Sequence, residues 1–322
     1  MSTTLRLLIA LAALTLGAQA LAQPAQKSPP APPPAPAAAD SGNTDLAFGA
    51  YQRGYYLTAL SEASKRAQQN DPVAMTLLGE LYAQGLGVPR NDAKAADWYK
   101  LAAGKGDRNA MFALAMFNFE GRVGPKNADE AARLLSEAAK LGHPAAEYDL
   151  GLLYLQGQQF PQDFKRAAEL FRAASDAGNP EAQYALATMY KDGRGVEQDA
   201  NKAMQLMGMA SLTGNVDAMV EYAIAEFNGT GVPKNETGAA QLLQKAANRG
   251  SAIAQNRLAR VLMAGRGMPV NPTEAVKWHI ISKAAGASDP DLDVFAAKQP
   301  ADVRDTAQKE ADKWLSTAAP RS

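Results

Sequence analysis

The residues able to perform chemistry are few in this sequence of 322 amino acids. It contains no cysteine, which excludes a disulfide framework, a thiolate metal site and a thiol nucleophile. The two histidines, His143 and His279, do not pair with carboxylates at metalloprotease spacing, and no G-x-S-x-G motif occurs. No serine has a lysine three residues later, so the usual pair of serine β-lactamases is missing. The sequence therefore predicts no catalytic site.

Two short patterns imitate ligand-binding loops without completing them. Asp289, Asp291 and Asp293 alternate like the start of a calcium loop, but Val294 and Pro300 stand where its glycine and glutamate belong. We interpret these carboxylates as the acidic start of a helix, where the helix dipole favours them. The recurring G-x-G follows a helix rather than a strand and lacks a Gly-Lys-Ser/Thr ending, so it does not predict a phosphate site. We expect no metal and no cofactor.

Charge and the first 44 residues indicate the class of protein. Lysine plus arginine and aspartate plus glutamate both number 33, and this zero net charge is not typical of a nucleic-acid partner. Residues 1–22 resemble a cleaved secretory signal peptide, with Arg6, a short apolar run and Ala-x-Ala sites ending at Ala20 and Ala22. The run has about half the length of a membrane-spanning helix, so no stable membrane insertion is expected after cleavage. Residues 23–44, rich in proline and alanine, are predicted to be a disordered linker.

Most of the chain repeats a unit of 36 residues six times. Two glycine columns and two alanine columns keep this step without an insertion. The first glycine column closes each unit and the second lies within it: Gly106, Gly142, Gly178, Gly214, Gly250, Gly286; Gly85, Gly121, Gly157, Gly193, Gly229, Gly265. The alanine columns are Ala74, Ala110, Ala146, Ala182, Ala218, Ala254 and Ala95, Ala131, Ala167, Ala203, Ala239, Ala275. Four such columns identify a repeat protein.

The residue types within a unit predict two helices. In the fourth copy, Ala182, Leu186 and Met189 recur at i, i+4 and i+7, which places them on one helical face. Gly193 ends that helix, because glycine adopts positive φ at little cost. Asp199 is expected to cap the second helix with its carboxylate. Each unit is therefore predicted to be an antiparallel helix pair that must stack on its neighbours to bury both faces.

These columns carry a family resemblance. The combination of G-x-G-V-P, an acidic or amide cap, A-x-x-W/L-Y/L and A-A-x-x-G resembles the Sel-1-like repeat, a relative of the tetratricopeptide repeat, over residues 71–286. The turn is complete at residues 85–89 and 229–233; residues 122–124 shift its second glycine and residues 158–159 lack it, so those two turns are expected to differ. The resemblance implies an all-α fold, a right-handed α/α superhelical solenoid of helix-turn-helix repeats. It also implies a role in holding other proteins together.

The repeat columns predict the domain organisation. Six repeats are expected, at residues 71–106, 107–142, 143–178, 179–214, 215–250 and 251–286. Residues 45–70 are interpreted as a shortened helix pair, and residues 287–322 as capping helices with Trp314 covering the last repeat. By their columns, His143 should cap a helix and His279 should lie in the core. Both histidines are therefore expected to be structural.

One segment exceeds what the core columns require. The first helix of the second repeat adds four large apolar side chains to its core residues, and the third repeat continues the pattern. A helix that is apolar on all sides is either enclosed between neighbours or presents a binding surface. The second interpretation predicts a groove on the concave face for a peptide or helix of a partner protein. Its residues are Met111, Phe112, Met116, Phe119, Tyr148, Leu152 and Leu155.

Together these features favour a non-catalytic scaffold in the periplasm or outside the cell. The resemblance implies adaptors or regulators of envelope sensors and surface-polysaccharide systems. One alternative is a cell-wall glycan binder, for which scattered tyrosines would supply the contacts. Another is a hydrolase, because some relatives with this fold bind or hydrolyse β-lactams. Those relatives carry paired cysteines, which this chain lacks, and we expect no enzymatic activity.

Overall fold

The computed structural model describes residues 45–318 as sixteen helices, with no strand among those residues. The all-α class predicted from the repeats is confirmed. The expected signal peptide and linker, at residues 1–22 and 23–44, lie outside the described residues. The helices divide into two compact units, with the boundary between Ala174 and Ser175.

The first unit contains a short helix pair and three repeats. The short pair consists of α1 (Leu46–Gln52) and α2 (Tyr56–Gln68). The repeats are α3 (Pro72–Gln84) with α4 (Asp92–Ala103), α5 (Arg108–Glu120) with α6 (Ala128–Lys140), and α7 (Pro144–Gln156) with α8 (Phe164–Asp176). The last two residues of α8 already belong to the second unit.

The second unit contains three further repeats and two more helices. The repeats are α9 (Pro180–Asp192) with α10 (Ala200–Thr213), α11 (Val216–Asn228) with α12 (Glu236–Asn248), and α13 (Ala252–Ala264) with α14 (Pro272–Ala284). They are followed by α15 (Pro290–Ala297) and α16 (Ala301–Ala318). In every repeat of both units, the helix that comes first in sequence is called the first helix and the other the second helix.

Side chains fix the residue at which each repeat helix begins. All six second helices are capped by the asparagine or aspartate predicted for that column, whose side-chain oxygen accepts an N–H bond from the first turn. The first helices are capped from their own column, where His143 serves α7: its Nδ1 accepts the N–H of Ala146 at 3.1 Å. The predicted capping role of His143 is confirmed.

The closing glycines hold a conformation that other residues rarely adopt. All six have positive φ, between 72° and 115°, as predicted for this column. Asn70, at the same position of the short pair, has φ 65° and is the only non-glycine residue with positive φ in the described range. An L side chain is strained in this left-handed region, and asparagine tolerates it best.

In the first, fifth and sixth repeats, the turn between the two helices lies against the preceding helix pair. The second glycine of G-x-G has positive φ at Gly87, Gly195, Gly231 and Gly267, and a Cβ atom at Gly267 would collide with the carbonyl oxygen of Glu236 in the preceding repeat. In the second repeat the shifted Gly124 lacks positive φ. These two turn geometries agree with the expectation that the second repeat departs from the others.

The core of each repeat matches a small residue on the first helix to a large one on the second. Gly79 faces the buried ring of Tyr99, and Gly151 faces that of Phe171; a Cβ atom would lie 2.5 Å and 2.7 Å from those rings. Where the first helix carries alanine in this column, the second carries leucine, methionine or histidine. Here His279 is 3% exposed, which confirms its predicted core position.

The end of the second unit is closed as the sequence predicts. The indole of Trp314 packs edge-on against Trp278 of the last repeat, with ring centroids 6.0 Å apart. Asp289 caps α15 and accepts N–H bonds from Asp291 and Leu292. The acidic run is therefore a helix start. In the described part of the chain, the helices are too short or too polar to cross a membrane.

Candidate partner-binding site

In each repeat, three columns of the first helix lie on one side of that helix, which we call the first-helix face. In α5 these columns hold Phe112, Met116 and Phe119, at i, i+4 and i+7. They lie about 200° around the helix from the core stripe of Ala110, Leu114 and Phe117, because each residue advances 100°. In α7 the same three columns hold three further predicted site residues, Tyr148, Leu152 and Leu155, whereas Met111 lies outside these columns.

The structure gives the seven predicted site residues two different environments. Phe112 and Leu152 are buried, with 7% and 6% of their surface exposed. The other five are half-buried and keep part of their surface open: Met111, Met116, Phe119, Tyr148 and Leu155. Met111, Met116 and Phe119 pack against the core cluster of the first unit with one side. The stretch therefore combines two core side chains with five that could contact a partner.

Phe112 is held by an aromatic stack rather than open to solvent. Its ring lies 4.5 Å from that of His143, nearly parallel at 19°. Burial, together with the positive charge of Arg108, lowers the pKa of His143 to about 4. The imidazole therefore stays neutral at physiological pH, which leaves Nδ1 able to accept the cap bond. We did not foresee this contact from the sequence, because it joins columns of adjacent repeats.

In the first repeat the same face is polar, and its polar side chains form hydrogen bonds with other protein groups. The hydroxyl of Thr76 donates to Asp107 at 3.0 Å, and the hydroxyl of Tyr99 donates to Glu80 at 2.8 Å. Burial and the Glu80 carboxylate raise the pKa of Tyr99 well above its ordinary value, so this phenol stays protonated. The apolar part of the face in the first unit is thus confined to the second and third repeats.

Repeat four replaces the apolar columns with Tyr184, Thr188 and Lys191. Glu221 of the next repeat accepts a hydrogen bond from the hydroxyl of Tyr184 at 2.7 Å and pairs with Lys191 at 3.2 Å. These polar groups interrupt the stripe along the sequence.

A second stretch of the first-helix face, apolar in α11 and mixed in α13, follows in repeats five and six. Here the three columns hold Val220, Ile224 and Phe227 in α11 and Asn256, Arg260 and Met263 in α13. This stretch was not predicted from the sequence, because neither of its helices is apolar on all sides. The signal that would have found it is the offset of 108 residues, three repeats, between Phe119 and Phe227.

This second stretch surrounds a cavity of about 290 Å³. Its walls are apolar side chains of α11 and α13, and Leu243 of α12 contributes as well. Three arginines, Arg257, Arg260 and Arg266, also line it, and no carboxylate does. The full lining comprises Ala223, Ile224, Phe227, Asn228, Leu243, Arg257, Arg260, Val261, Met263, Ala264 and Arg266.

Two of these arginines are fixed by carboxylates outside the cavity. Arg260 donates to both oxygens of Asp289, from Nε at 2.6 Å and from Nη2 at 2.8 Å. Arg266 pairs with Glu236 and covers the ring of Phe227, with its guanidinium carbon 4.1 Å from the ring centroid. Hydrogen bonds from Arg266 and then from Lys234 lower the pKa of Glu236 to about 2. These contacts hold both guanidinium groups in place.

The titratable groups of the described residues were compared with the requirements of a metal site. Among those residues, no group of three or more histidine and carboxylate side chains could hold a metal ion. His279 contacts Asp293 through Nε2 at 2.8 Å, and Lys283 pairs with the same carboxylate at 2.6 Å. This cluster ties α14 to α15 and carries no nucleophile.

A protein-family model identifies the family to which this chain belongs. The Sel1 repeat model matches six consecutive segments, at residues 72–107, 108–143, 144–179, 180–215, 216–251 and 252–286. The chain belongs to the Sel1 repeat family. Sel1 repeat proteins are generally scaffolds for protein–protein interaction. Each matched segment begins one residue after the predicted repeat, and the last segment ends at the predicted residue, 286.

Solved Sel1 repeat structures share the fold. A Sel1 repeat protein from Oxalobacter formigenes is 29% identical, with a TM-score of 0.64, over 74% of this chain and 97% of that one. The protein c5321, described as a protective antigen of uropathogenic Escherichia coli with an SLR fold, is 25% identical, with a TM-score of 0.53, over 85% of this chain and 68% of that one. A comparison with curated protein sequences found no match.

Proposed function

We propose that this Sel1 repeat protein is a non-catalytic scaffold of the periplasm or the extracellular space that binds another protein through the first-helix face of repeats two and three. The single observation that carries the proposal is the group of half-buried side chains on that face, Met116, Phe119, Tyr148 and Leu155, together with Met111 next to Phe112 on α5. Apolar surface left open on a folded protein marks interaction sites when it is continuous. An adaptor or regulator of an envelope sensor or surface-polysaccharide system is the role we propose within this class.

The arrangement of the five side chains supports a helix or extended peptide as the bound segment. Met116 and Phe119 lie one turn apart on α5, and Leu155 occupies the column of Phe119 one repeat later. Aromatic and methionine side chains dominate the energetics of protein interfaces. The face of the second and third repeats carries no lysine or arginine in its three columns, which favours an apolar partner surface.

The cell-wall glycan alternative has less support, because several tyrosines already have ring contacts inside the fold. Lys94 lies over the ring of Tyr82 and Lys202 over that of Tyr190, each 5.3 Å from the ring centroid. Tyr154 stacks on Phe160. Sugar binding commonly requires aromatic faces that remain open, so we favour a protein partner.

Site-specific photo-crosslinking tests the proposal. A benzophenone amino acid is placed at Phe119 or Leu155 of the full chain, and cells that produce it are irradiated. We expect the same discrete protein adduct from both positions. The matched control is the same amino acid at Ala173, which is exposed on α8 and lies off the first-helix face.

Each result has one interpretation. A protein adduct at Phe119 and Leu155 but not at Ala173 supports the scaffold. Absence of an adduct at both face positions, or equal labelling at all three, overturns the proposed site. An adduct that a muramidase shortens would instead support glycan binding.

The proposed location has its own measurement. Mass spectrometry of the mature protein should give Gln23 as its first residue, and the protein should fractionate with soluble periplasmic or secreted material. A protein recovered from the membrane fraction with Met1 intact would contradict it.

A further inference from the structure

We infer that the cavity of repeats five and six binds an acidic peptide segment of a partner protein, with one apolar side chain inside the cavity and carboxylates on Arg257, Arg260 and Arg266. This inference rests on the proposed function, a scaffold for protein segments, and adds a second site with a stated chemistry. It depends on the charge of the lining, the open donors of its arginines and the size of the cavity.

The charge of the cavity is one-sided. Its lining holds three guanidinium groups and no carboxylate. Arg257 is exposed on α13 and has no acidic partner among the residues that the structure describes. A guanidinium presents five N–H donors in a plane, which matches the two oxygens of a carboxylate. An anionic ligand could therefore accept hydrogen bonds from the guanidinium of Arg257 without displacing an existing ion pair.

The other two arginines are already oriented and keep donors free. The hydrogen bonds of Arg260 use Nε and Nη2, and that of Arg266 uses Nη2, so Nη1 of each has no partner in the described structure. Because Asp289 and Glu236 hold these side chains from outside the cavity, less side-chain entropy is lost when a ligand binds. Such preorganised arginines are the preferred partners of carboxylates.

The cavity itself is apolar and small. Ile224, Phe227 and Met263 form its walls, and 290 Å³ lies at the lower end of the volumes of ligand sites, about 300–1,000 Å³. This space accommodates a single large side chain such as phenylalanine or leucine rather than a large cofactor. An apolar anchor between carboxylates fits the lining better than a polyanion, which would leave these walls uncovered.

One carboxylate at the mouth competes with the proposed ligand. Asp291 is 75% exposed and approaches Nη2 of Arg260 at 3.2 Å. An acidic peptide would have to share Arg260 with it. Removing the charge of Asp291 should therefore strengthen binding, whereas reversing the charge of Arg257 should weaken it. Opposite effects of two exposed positions are not expected from a loss of folding.

The test uses an array of fluorescent seven-residue peptides and fluorescence polarisation with the full chain. Every peptide has phenylalanine or leucine at its centre, and the array contains all placements of two aspartates or glutamates around it. Matched peptides replace the acids with asparagine or glutamine, or the central residue with glycine. We expect the best acidic peptide to bind at least about tenfold more tightly than either matched peptide.

Variants assign the binding to the cavity. Arg257→Glu should weaken the best acidic peptide about tenfold or more, and Asp291→Asn should strengthen it about two- to threefold. The control Arg304→Glu makes the same charge change on an exposed position of α16, away from the cavity, and should alter binding less than about twofold. Melting curves of all three should match that of the wild type.

The outcomes separate this inference from the proposed function. The acidic-peptide site is overturned if no acidic peptide binds more tightly than its amide counterpart. It is also overturned if Arg257→Glu and Arg304→Glu change the affinity equally. The adduct at Phe119 and Leu155 would then still support the scaffold. If an acidic peptide binds the cavity as expected while Phe119 and Leu155 give no crosslinked adduct, the cavity site is supported. The face of repeats two and three is then not the binding surface.

Discussion

The two stretches of the first-helix face have the same position in the repeat but a different chemistry. In repeats two and three the face is closed at two points by Phe112 and Leu152, and its columns carry no charge. In repeats five and six the face encloses a cavity, and arginines line it. The repeat fixes where each column lies on the helix, whereas the side chain in that column differs from repeat to repeat.

The two stretches also differ in the size of the side chain in their first column. Phe112 reaches the next repeat and stacks on His143, so the space between α5 and α7 is occupied. The equivalent column in α11 and α13 holds the smaller Val220 and Asn256. Neither residue lines the cavity, whose walls come from the other two columns of the face, at Ile224, Phe227, Arg260 and Met263. We interpret the first stretch as a flat contact surface and the second as a pocket.

The largest effect is expected from separating the two roles of the aromatic residues in α5. Phe112→Ala should lower the free energy of unfolding by about 3–5 kcal/mol, because a buried ring leaves a cavity. Phe119→Ala should lower it far less, since Phe119 is half-buried, but should weaken partner binding. Thermal melting and the crosslinking assay measure both. Equal destabilisation by the two variants would contradict a surface role for Phe119.

Acidic pH should weaken the N-terminal cap of α7, which is His143, but not that of α11, which is Asn215. Burial holds the pKa of folded His143 at about 4, against an ordinary value near 6.5. Its neutral form therefore contributes stability that is complete above pH 6.5 and is lost as the pH falls toward 4. Because each pKa unit corresponds to about 1.4 kcal/mol, we expect a loss on the order of 1–3 kcal/mol.

The control for this titration is His143→Asn, which restores the cap that Asn215 provides in α11. Chemical denaturation between pH 7 and pH 4.5 should show a smaller loss of stability for the variant than for the wild type. Carboxylates also titrate in this window, but they are common to both proteins. Parallel curves would contradict the assignment of the pH dependence to His143.

Much of the fold could be predicted from the repeat columns, because caps, glycines and core residues are local requirements. The caps at Asn91 and Asp199 and the core position of His279 all follow from residue type and spacing. Positive φ at the closing glycines is a property of one residue and its two neighbours. Such features do not depend on distant parts of the chain.

The candidate sites could be predicted only in part. Phe112 belongs to the same column as the half-buried Tyr148, and only the ring of His143 in the adjacent repeat makes it a core residue. The cavity between α11 and α13 was not foreseen, because it depends on side-chain volumes from three helices. Arg257 has no feature in the sequence that distinguishes it from a solvated charge. Contacts between repeats therefore limit what a single sequence reveals.

The helix core also differs beneath the two stretches, because the same column holds Gly151 in α7 and Ala223 in α11. An added methyl group at Gly151 should therefore lower the stability of the fold. Gly151→Ala would place a Cβ atom 2.7 Å from the ring of Phe171, and we expect a loss of about 1–3 kcal/mol. Adding Phe171→Leu should recover part of this loss, because Ala223 already occupies the equivalent column above Leu243 in repeat five. Denaturant melts of the single and double variants test this. A single variant as stable as the wild type would contradict the packing.

The smallest expected difference concerns an ion pair that joins adjacent repeats in both units. Asp92 pairs with Arg122 and Glu236 with Arg266, in the same two columns. Bonds from Arg122 and then Arg90 lower the pKa of Asp92 to about 2, so its contribution is complete above the ordinary carboxyl pKa and is lost as the pH falls toward 2.

Asp92→Asn is therefore expected to cost on the order of 1 kcal/mol at neutral pH, since about four fifths of both side chains in this pair is shielded from solvent. Glu236→Gln should leave the melting temperature unchanged, because nearly half of the Arg266 side chain is exposed and water screens the pair. Repeating both melts in 1 M salt sharpens the comparison: the cost of Asp92→Asn should shrink and the Glu236→Gln melt should stay at the wild-type value. An equal cost for both variants at low salt would show that the two units use this pair alike. The difference between the two stretches would then lie only in the residues that line the first-helix face.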